Sequence, residues 1–418
     1  MNAPSNSLNI KQSLKEKPII ILAHVVNKTV TDGFVPAAIK MGYQVYLFTD
    51  QAIAYQTYFS KKDLANYPAE IIACDVFNSQ AVIEKVLQLD IQASAIFSNS
   101  DHLQTSCAQA ASFFNLPAKD WSTCYRAKNK YAMREYLQQQ NIPNTWFHAL
   151  NNLNELQQLT PPFPCVIKPQ QGVASMNVEL CETAQQLDLF CRKFWQNSPG
   201  QSLIIEELIQ GSVFTLETLG DGENVIALGG FDVDISSPPY FIEKNARWVD
   251  DVTSKHRIEA LEQIKTFGVN FGSCHSEFIL TAQGPRLIEI NYRTIGGSKE
   301  FLLDQLANFD WFIQILALHI GEKLTQNIAI KGEAIAQYYT AKQSGNSVKQ
   351  PQAFEHHHPH FIKLEHLKTS GEKIELSHSD RDRLSILIAH SKQRNQDNGN
   401  TFHEIIKTIT NDLTWEIC

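Results

Sequence analysis

Residues 272–297, GSCHSEFILTAQGPRLIEINYRTIGG, have the pattern of a β-hairpin, and the prediction of the fold depends on them. Two runs in which apolar and polar residues alternate flank a turn signal, Gly284-Pro285. A loop over residues 281–285 would bring these pairs opposite one another: Leu280 and Arg286, Glu277 and Glu289, His275 and Asn291, and Ser273 and Arg293. The sequence therefore predicts two antiparallel strands with a fixed register.

The predicted hairpin has one polar and one apolar face, because side chains alternate with period two along a strand. The polar face carries Glu277, Glu289, Asn291 and Arg293. The apolar face carries Phe278, Ile288, Ile290 and Tyr292. We expect the apolar face to pack in a core and the polar face to carry the chemistry.

Two carboxylates directly across a strand pair have Cβ atoms roughly 5 Å apart and repel unless a cation lies between them. Oxygen ligands from Glu277, Glu289 and Asn291 suit Mg²⁺, which completes its coordination with water and substrate phosphates. Arg293 would then present a planar fork to a phosphate or carboxylate. The alternative is a surface hairpin in which Arg293 pairs with Glu289 and no metal binds.

Composition indicates an ordinary globular protein. The 418 residues are 43% hydrophobic, enough for packed cores and for about three domain-sized units. The net charge of −8, without a long basic block, argues against nucleic acid as the main partner. The apolar runs are too short to cross a membrane and residues 1–17 lack a signal-peptide core, so the expected location is the cytoplasm.

The cysteines do not suggest a metal or disulfide framework. Eight are scattered without CxxC spacing, and most are expected to be buried thiols. Cys274 lies beside the predicted metal ligands, but its parity with Ser276 and Phe278 places it on the apolar face. We therefore do not expect it to be a nucleophile.

The first 122 residues predict an open parallel sheet after a disordered segment, 1–17. Strands are predicted at 18–23, 44–49, 70–74 and 93–98, with helices at 33–41, 79–89 and 103–114 between and after them. No GxGxxG follows the first strand, which disfavours a dinucleotide site. Asp101 follows the last strand, where such sheets place ligand contacts, although a helix N-cap explains it equally well.

Three further segments are weak signals when taken singly. A helix that ends near Asn141 carries the cations Lys128, Lys130 and Arg134, as any solvated helix can. Residues 165–178 predict a strand that ends in Lys168, then a loop of small residues including Gly172 and Ser175, and another strand. A helix at 184–195 is followed by an apolar strand that reaches Glu206 and Glu207, and a further strand ends at Glu217.

In this order the motifs resemble the ATP-grasp ligases, and most closely their carboxylate–amine branch, which includes dipeptide and amino-acid ligases. The matching motifs are Asn129-Lys130-xxx-Arg134, Val166-Ile-Lys168-Pro169-xx-Gly172, Glu206-Glu207-Leu208-Ile209-x-Gly211 through Glu217, and the hairpin from His275-x-Glu277 to Gly297. The resemblance covers nearly the whole chain. It implies an α/β protein with an α+β ligase core: an N-terminal open parallel sheet, central nucleotide-clamping subdomains and a small C-terminal subdomain.

The resemblance also implies a role for each matching residue, with ATP and Mg²⁺ (or Mn²⁺) as cofactors. Lys130 and Lys168 would contact ATP phosphates beneath a glycine loop containing Gly172 and Ser175. The adenine and hinge contacts would come from Glu206, Glu207 or Ile209, and Glu217 would lie near the ribose. Glu277, Glu289 and Asn291 would hold the metal, and Arg293 would bind the acyl phosphate or substrate carboxylate, which makes Arg293 and Lys168 the expected catalytic residues.

The implied activity is amide formation from a small-molecule carboxylate and an amine, such as two amino acids, and the resemblance allows a homodimer. Two departures from the family pattern bear on nucleotide affinity: Asn129 stands where the family has Asp, and the glycine loop is poorer in glycine than usual.

Two alternative functions stay open. One is an ATP-grasp enzyme with another acceptor, such as a carboxylase or a phosphoribosylamine-type ligase; the other is a non-catalytic nucleotide-binding protein.

The predicted domains are 18–122, then the ATP-grasp core at 123–324 with its lid at about 160–212, then the C-terminal subdomain at 325–418. In the last, strands are expected near 333–339 and 385–390, and a helix stripe of Phe402, Ile405, Ile406, Ile409 and Leu413 is expected to pack in a core. The histidine tract 356–360 invites a metal site, but it has no fixed ligand spacing.

Overall fold

The computed structural model describes residues 17–61, 67–172, 175–238, 240–357, 360–392, 402–410 and 413–417. The expected disordered N-terminus therefore lies almost wholly outside the described residues, as do two positions of the glycine loop. Within the described residues, no helix is both long and apolar enough to cross a bilayer.

The N-terminal region forms the predicted open parallel sheet. Its strands are β1 (Ile19–Ala23), β2 (Val45–Thr49), β3 (Glu70–Ala73) and β4 (Ala95–Phe97), in the order β3-β2-β1-β4. Its helices are α1 (Val35–Lys40), α2 (Ala52–Phe59), α3 (Ser79–Gln88) and α4 (Gln104–Phe113). The sequence interpretation missed α2, which buries Tyr55 and Phe59 one turn apart. The carboxyl ends of β1 and β4 lead directly into the segments that face the rest of the molecule.

The single helix predicted between residues 125 and 141 is two helices, α5 (Trp121–Lys128) and α6 (Lys130–Gln139). Asn129 separates them in an extended conformation, and its side chain accepts a hydrogen bond from the backbone N–H of Ala132. Asn and Asp are equally good helix N-caps, so the departure from the family's Asp preserves this cap. The break places Lys130 at the first position of the second helix.

The lid is a separate four-stranded antiparallel sheet with its own core. It consists of β5 (Phe147–Leu150), β6 (Cys165–Pro169), β7 (Glu179–Cys181) and β8 (Leu203–Glu207), in the order β5-β8-β6-β7, with α7 (Leu153–Gln157) and α8 (Ala184–Asn197). A capping box between Thr183 and Gln186 starts α8. Leu187, Cys191 and Phe194 of α8 pack in this core. The two inner strands, β6 and β8, carry Lys168 and Glu206.

A nine-stranded antiparallel sheet forms the body of the molecule. Its strands are β9 (Ser212–Asp221), β10 (Val225–Ile235), β11 (Glu243–Val249), β12 (Phe271–Thr281), β13 (Gly284–Asn291), β14 (Glu333–Thr340), β16 (Phe354–His356), β17 (Phe361–His366) and β19 (Arg383–Ser391). The spatial order is β13-β12-β9-β10-β11-β14-β19-β17-β16. The sheet thus continues across residue 325, where a subdomain boundary was expected.

Helices α9 (Lys255–Phe267), α10 (Lys299–Leu306) and α11 (Trp311–His319) cover this sheet. A smaller sheet is formed by β15 (Gly345–Lys349), β18 (Lys373–Ile374) and β20 (Glu416–Ile417). The predicted C-terminal stripe forms α12 (Phe402–Thr410), where Phe402 and Ile406 are buried and Ile405, Ile409 and Leu413 pack beside them. The two strands expected in this region are β14 and β19.

The hairpin β12–β13 keeps the predicted pairs at the site, although the predicted turn is wrong. The strands are joined by the two residues 282–283, and Leu280 faces Pro285 instead of Arg286. Gly284 has φ of 102°, a left-handed conformation that a side chain would strain. A one-residue register shift then restores the pairs Glu277–Glu289 and His275–Asn291.

This β-bulge also changes which apolar residues reach the core. Leu287 is fully buried with Phe278, whereas Ile288, expected on the core face, lines a cleft on the other side. The predicted pair of Ser273 and Arg293 does not form, because β13 ends at Asn291 and the backbone N–H of Arg293 bonds to the carbonyl of Asn291 at 2.7 Å. Arg293 therefore lies beyond the strand and not within it.

Candidate active site

Two cavities meet at the predicted metal ligands. A cleft lies between the lid and the large sheet, and a chamber lies between the N-terminal sheet, the hairpin and the C-terminal region. Ser175, Glu277 and Glu289 line both cavities. The carboxylates thus stand at the junction of a narrow cleft and a polar chamber.

The chemistry of the donor set fits Mg²⁺. Glu277 and Glu289 are paired directly across β12 and β13, and the Asn291 amide lies 3.5 Å from a Glu277 carboxylate oxygen. Hard oxygen donors from two carboxylates and one amide, beside space for phosphate, are the pattern that Mg²⁺ uses. The Arg293–Glu289 ion pair of the alternative surface hairpin does not form within the described residues, and both carboxylates line cavities.

A buried His–Glu pair supports the metal carboxylates. His275 Nδ1 lies 2.7 Å from Glu217 and its Nε2 lies 3.3 Å from Glu277. Burial opposes protonation, but Glu217 and Glu277 raise the pKa of His275 to about 9. Burial would likewise raise the pKa of Glu277, yet His275, Lys299 and Lys130 lower it below its usual value.

This pair corrects the expectation for Glu217. Its side chain is buried between strands, accepts a hydrogen bond from Thr215, and is absent from the described lining of the cleft. The ribose contact implied by the resemblance is therefore not supported, and Glu217 instead orients His275. Sequence reasoning could not find this contact, because it depends on the pairing of β9 with β12.

Lys130 connects the glycine loop to the predicted metal ligand Glu289. Its Nζ donates to a Glu289 carboxylate oxygen at 2.8 Å and to the Gly172 carbonyl at 3.0 Å. Its backbone N–H bonds to the carbonyl of Gln170. Burial lowers the pKa of this ammonium, but Glu289 outweighs burial and raises it. Lys130 is thus held charged beside the place where phosphates would lie.

Lys168 belongs to a buried charge network with Glu206 and Arg134. Glu206 lies 2.5 Å from Lys168 Nζ and 2.6 Å from Arg134 Nε, and the side chains of all three are nearly inaccessible. Burial would raise the pKa of Glu206, but the two cations lower it to about 2. Burial lowers the pKa of Lys168, and Glu206 only partly opposes this.

The same network adds to two expectations. Glu206, expected with Glu207 or Ile209 among the adenine and hinge contacts, lines the cleft and also pairs with two cations. Arg134, which the sequence analysis included in a matching motif but gave no role of its own, lines the cleft: its guanidinium also donates to the carbonyl of Leu287, and its Nη2 has no partner within the described residues. The residues of this network are far apart in sequence, so spacing alone could not join them.

Much of the cleft lining is apolar. The apolar lining residues are Val166, Met176, Val178, Leu208, Ile209, Val213, Ile235, Phe241, Ile279 and Ile288. Glu207 and Ile209, predicted at the hinge, both line this cleft, and the Glu207 side chain is exposed. Apolar walls with polar groups at one end are suited to a flat heterocycle that carries a charged tail.

Two residues from different parts of the chain line the chamber: Arg293, which follows the hairpin, and Asp101, which follows the last strand of the N-terminal sheet. Arg293 donates to the carbonyl of Thr294 at 2.6 Å and to Asn291 Oδ1 at 3.1 Å. Asp101 bonds to Lys128, and although burial opposes it, Arg293 and Lys128 lower the pKa of this carboxyl. Asp101 thus lines the chamber, as its position after β4 suggested.

An ionic cluster that sequence reasoning missed forms another wall of the chamber. Glu243 accepts from Lys299 at 2.5 Å and from Arg383 at 3.0 Å, and Arg383 also bonds to Asp380 at 2.8 Å. The Arg383 guanidinium stacks 3.5 Å from the centre of the Tyr338 ring. The cluster joins β11, α10 and the C-terminal region, which lie far apart in sequence.

Two other predictions concern residues that do not line either cavity. Cys274 is buried, and burial raises the pKa of its thiol to about 12, which makes it inert as a nucleophile. In the histidine tract, His357 pairs with Glu355, and His360 packs edge-on against Phe402. Within the described ranges, no three His, Cys, Asp or Glu side chains are grouped to hold a metal; His358 falls outside them.

Comparison with known proteins identifies a matching domain and distant relatives. Residues 127–297 match the family model of the ATP-grasp domain. The chain is 25% identical over 268 residues to the uncharacterized protein y4rH of Sinorhizobium fredii, a match covering 61% of this chain and 55% of that protein. It is 26% identical over 196 residues to dapdiamide A synthase of Enterobacter agglomerans, covering 43% of this chain and 45% of that enzyme.

Among solved structures, the chain is similar to an L-amino acid ligase from Bacillus licheniformis, with a TM-score of 0.73 and 19% identity over 97% of this chain and 99% of that chain. At this identity the likeness concerns the fold. The matches span about half the length of the curated relatives. Residues 127–297 therefore match the ATP-grasp domain, and the fold of the chain is similar to that of the L-amino acid ligase.

Proposed function

We propose that this protein is an ATP-dependent carboxylate–amine ligase that forms an amide through an acyl phosphate and releases ADP and phosphate. The observation that carries the proposal is the meeting of the two cavities at Glu277 and Glu289. A phosphoryl group delivered from the cleft and a carboxylate held in the chamber would come together at these carboxylates. The similarity to dapdiamide A synthase and to an L-amino acid ligase supports the same reaction class.

The reaction needs ATP because a carboxylate is a poor electrophile. A carboxylate oxygen takes the terminal phosphoryl group, and ADP leaves. An amine then attacks the acyl carbon, loses a proton and expels phosphate. Mg²⁺, held by Glu277, Glu289 and Asn291, would neutralise phosphate charge in this chemistry.

The side chains position the reactants and balance their charge. Lys130 and Lys168 line the cleft where phosphates would lie, and the apolar walls suit the adenine. Arg293, which lines the chamber without a carboxylate partner within the described residues, would hold the substrate carboxylate and the developing acyl phosphate. The segment around Ser175, whose hydroxyl donates to the Phe241 carbonyl, would cover the junction and exclude water.

The proposal is tested by incubating the purified protein with ATP, Mg²⁺ and pooled amino acids. We expect ADP and phosphate in equal amounts, together with an amide product detected by mass spectrometry. Parallel reactions replace the amino acids with bicarbonate or with phosphoribosylamine and glycine. Turnover only with bicarbonate or phosphoribosylamine would support the alternative acceptors, and ATP binding without turnover in any mixture would favour a nucleotide-binding protein.

A further inference from the structure

The chamber contains an arginine that the ligation chemistry described above does not use. Arg381 lies in the short turn Asp380–Asp382 and lines the chamber together with Arg293. Its backbone N–H bonds to the hydroxyl of Ser379. Its guanidinium has no ion pair or hydrogen bond with any residue that the structure describes.

The other cations of the chamber's C-terminal wall are already neutralised. Lys299 is buried against Glu243, and Arg383 is held by both Glu243 and Asp380. Burial lowers the pKa of the Lys299 ammonium, but Glu243 outweighs this and raises it. Lys299 and Arg383 therefore stabilise this wall through their ion pairs. Arg381 is the cation of this wall that forms no ion pair with a described residue.

The turn that carries Arg381 is held on both sides. A capping box joins Ser379 and Asp382, and the Asp382 carboxylate also accepts from the backbone N–H of His378. Asp380 accepts from the backbone N–H of Glu243 at 3.0 Å and from Arg383. His378 stacks on Tyr240 with ring centres 4.7 Å apart. A fixed backbone presents one unpaired guanidinium to the chamber, which lowers the entropic cost of binding an anion there.

The charge of Arg381 also reaches the opposite side of the chamber. His102, from the end of the N-terminal sheet, lines the same cavity. Burial and then Lys128 lower the pKa of His102, and Arg381 contributes in the same direction. Two guanidinium groups that form no ion pair with a described residue, Arg293 and Arg381, thus line one chamber and favour anions within it.

We propose that Arg381 determines specificity by binding a second substrate carboxylate, one that is not activated. The proposal rests on the proposed ligase function, in which Arg293 holds the carboxylate that reacts. The second carboxylate belongs either to an amine substrate that is an amino acid or to an acid substrate with two carboxyl groups. A guanidinium fork matches a carboxylate in two parallel hydrogen bonds, which a simple amine or monocarboxylic acid cannot supply.

The test compares paired probes by calorimetry in the presence of Mg²⁺ and a non-hydrolysable ATP analogue. For the amine source, the pairs are each proteinogenic amino acid and its carboxamide. For the acid source, the pair is N-acetyl-L-glutamate and N-acetyl-L-glutamine. The variants are Arg381→Gln and Arg381→Lys, with Arg192→Gln, an exposed arginine of the lid helix α8, as the matched control.

We expect Arg381→Gln to raise the Kd of the carboxylate-bearing probe by about tenfold to a hundredfold, the loss typical of a hydrogen bond to a charged group. The Kd of its amide counterpart and of the ATP analogue should stay unchanged, Arg381→Lys should restore part of the affinity, and Arg192→Gln should match the wild type. If the amino acids lose affinity in Arg381→Gln, the second carboxylate belongs to the amine substrate. If N-acetyl-L-glutamate loses affinity, it belongs to the acid substrate.

The proposal is overturned if Arg381→Gln affects both members of every pair equally or affects neither. It is also overturned if the wild type binds every carboxylate-bearing probe no more tightly than its counterpart. Turnover assays on the same proteins separate this failure from failure of the ligase proposal. Normal amide synthesis without a probe difference would contradict only the role of Arg381, whereas a probe difference without any ATP consumption would contradict only the ligation.

Discussion

Replacing Glu206 with Gln should destabilise the protein by about 3 kcal/mol, because it leaves Lys168 and Arg134 buried without their counter-charge. The carboxyl pKa of Glu206 falls from 4.5 to about 2 in the folded protein. At about 1.4 kcal/mol per pH unit, this difference corresponds to about 3 kcal/mol. Removing one partner of a buried ion pair costs about 3 to 5 kcal/mol, in agreement.

The assay is urea denaturation followed by tryptophan fluorescence, since Trp146 and Trp195 pack in the lid core. Glu207→Gln is the matched control: its side chain is exposed beside Thr145, so its free energy of unfolding should change by less than about 0.5 kcal/mol. A loss below about 1 kcal/mol in Glu206→Gln would refute the reasoning, because it would mean that the two cations do not depend on this carboxylate.

The same variant should change the response to acid. Because the folded pKa of Glu206 is depressed, its contribution is fully present above about pH 4.5 and is lost as the pH falls toward about 2. The wild type should therefore lose stability over this window more steeply than Glu206→Gln. Parallel pH profiles for the two proteins would contradict the assigned shift.

Three further substitutions test the division of roles in the site. Glu289→Gln should lower turnover by at least a hundredfold and weaken Mn²⁺ binding measured by electron paramagnetic resonance, with an unchanged circular dichroism spectrum; wild-type rates would rule out the metal assignment. Lys168→Ala should weaken ATP binding more than carboxylate binding, and unchanged nucleotide affinity by calorimetry would contradict its phosphate role. Arg293→Lys should cost about 2 kcal/mol or more in transition-state stabilisation, measured as kcat/KM for the carboxylate, with little change in ATP affinity. A proportional loss of ATP binding in Arg293→Lys would instead assign this residue to the nucleotide site.

The hairpin shows which features of a strand pair can be predicted from the alternation of polar and apolar residues. Alternation and parity placed Glu277 opposite Glu289, and the structure agrees. The turn contains fewer residues than predicted, which shifts the pairing of the two strands by one residue near the turn. A bulge at Ile288 shifts the pairing back by one residue, so the predicted pair of Glu277 and Glu289 forms. Bulges depend on packing on both faces of a strand, which periodicity does not encode, and for this reason the exchange between Leu287 and Ile288 was not predictable.

The remaining site features depend on contacts between distant segments. The resemblance supplied Lys130, Lys168, Glu277, Glu289 and Asn291, all of which line the cleft or the chamber. It could not supply the partners of His275 or Glu206, because these come from other strands and helices. The acidic and basic residues of the chamber wall had no signature in the sequence, since surface ion pairs and site residues look alike until the fold brings them together.

The most direct test of the account follows the carboxylate oxygen. A pool of amino acids labelled with ¹⁸O in the carboxyl group is incubated with the protein, ATP and Mg²⁺, and the released phosphate is analysed by mass spectrometry. Because an acyl phosphate loses its bridging oxygen to phosphate when the amine attacks, the account predicts one ¹⁸O in each phosphate formed with product, together with ADP. Unlabelled phosphate in the presence of amide product, or release of AMP and pyrophosphate, would contradict it.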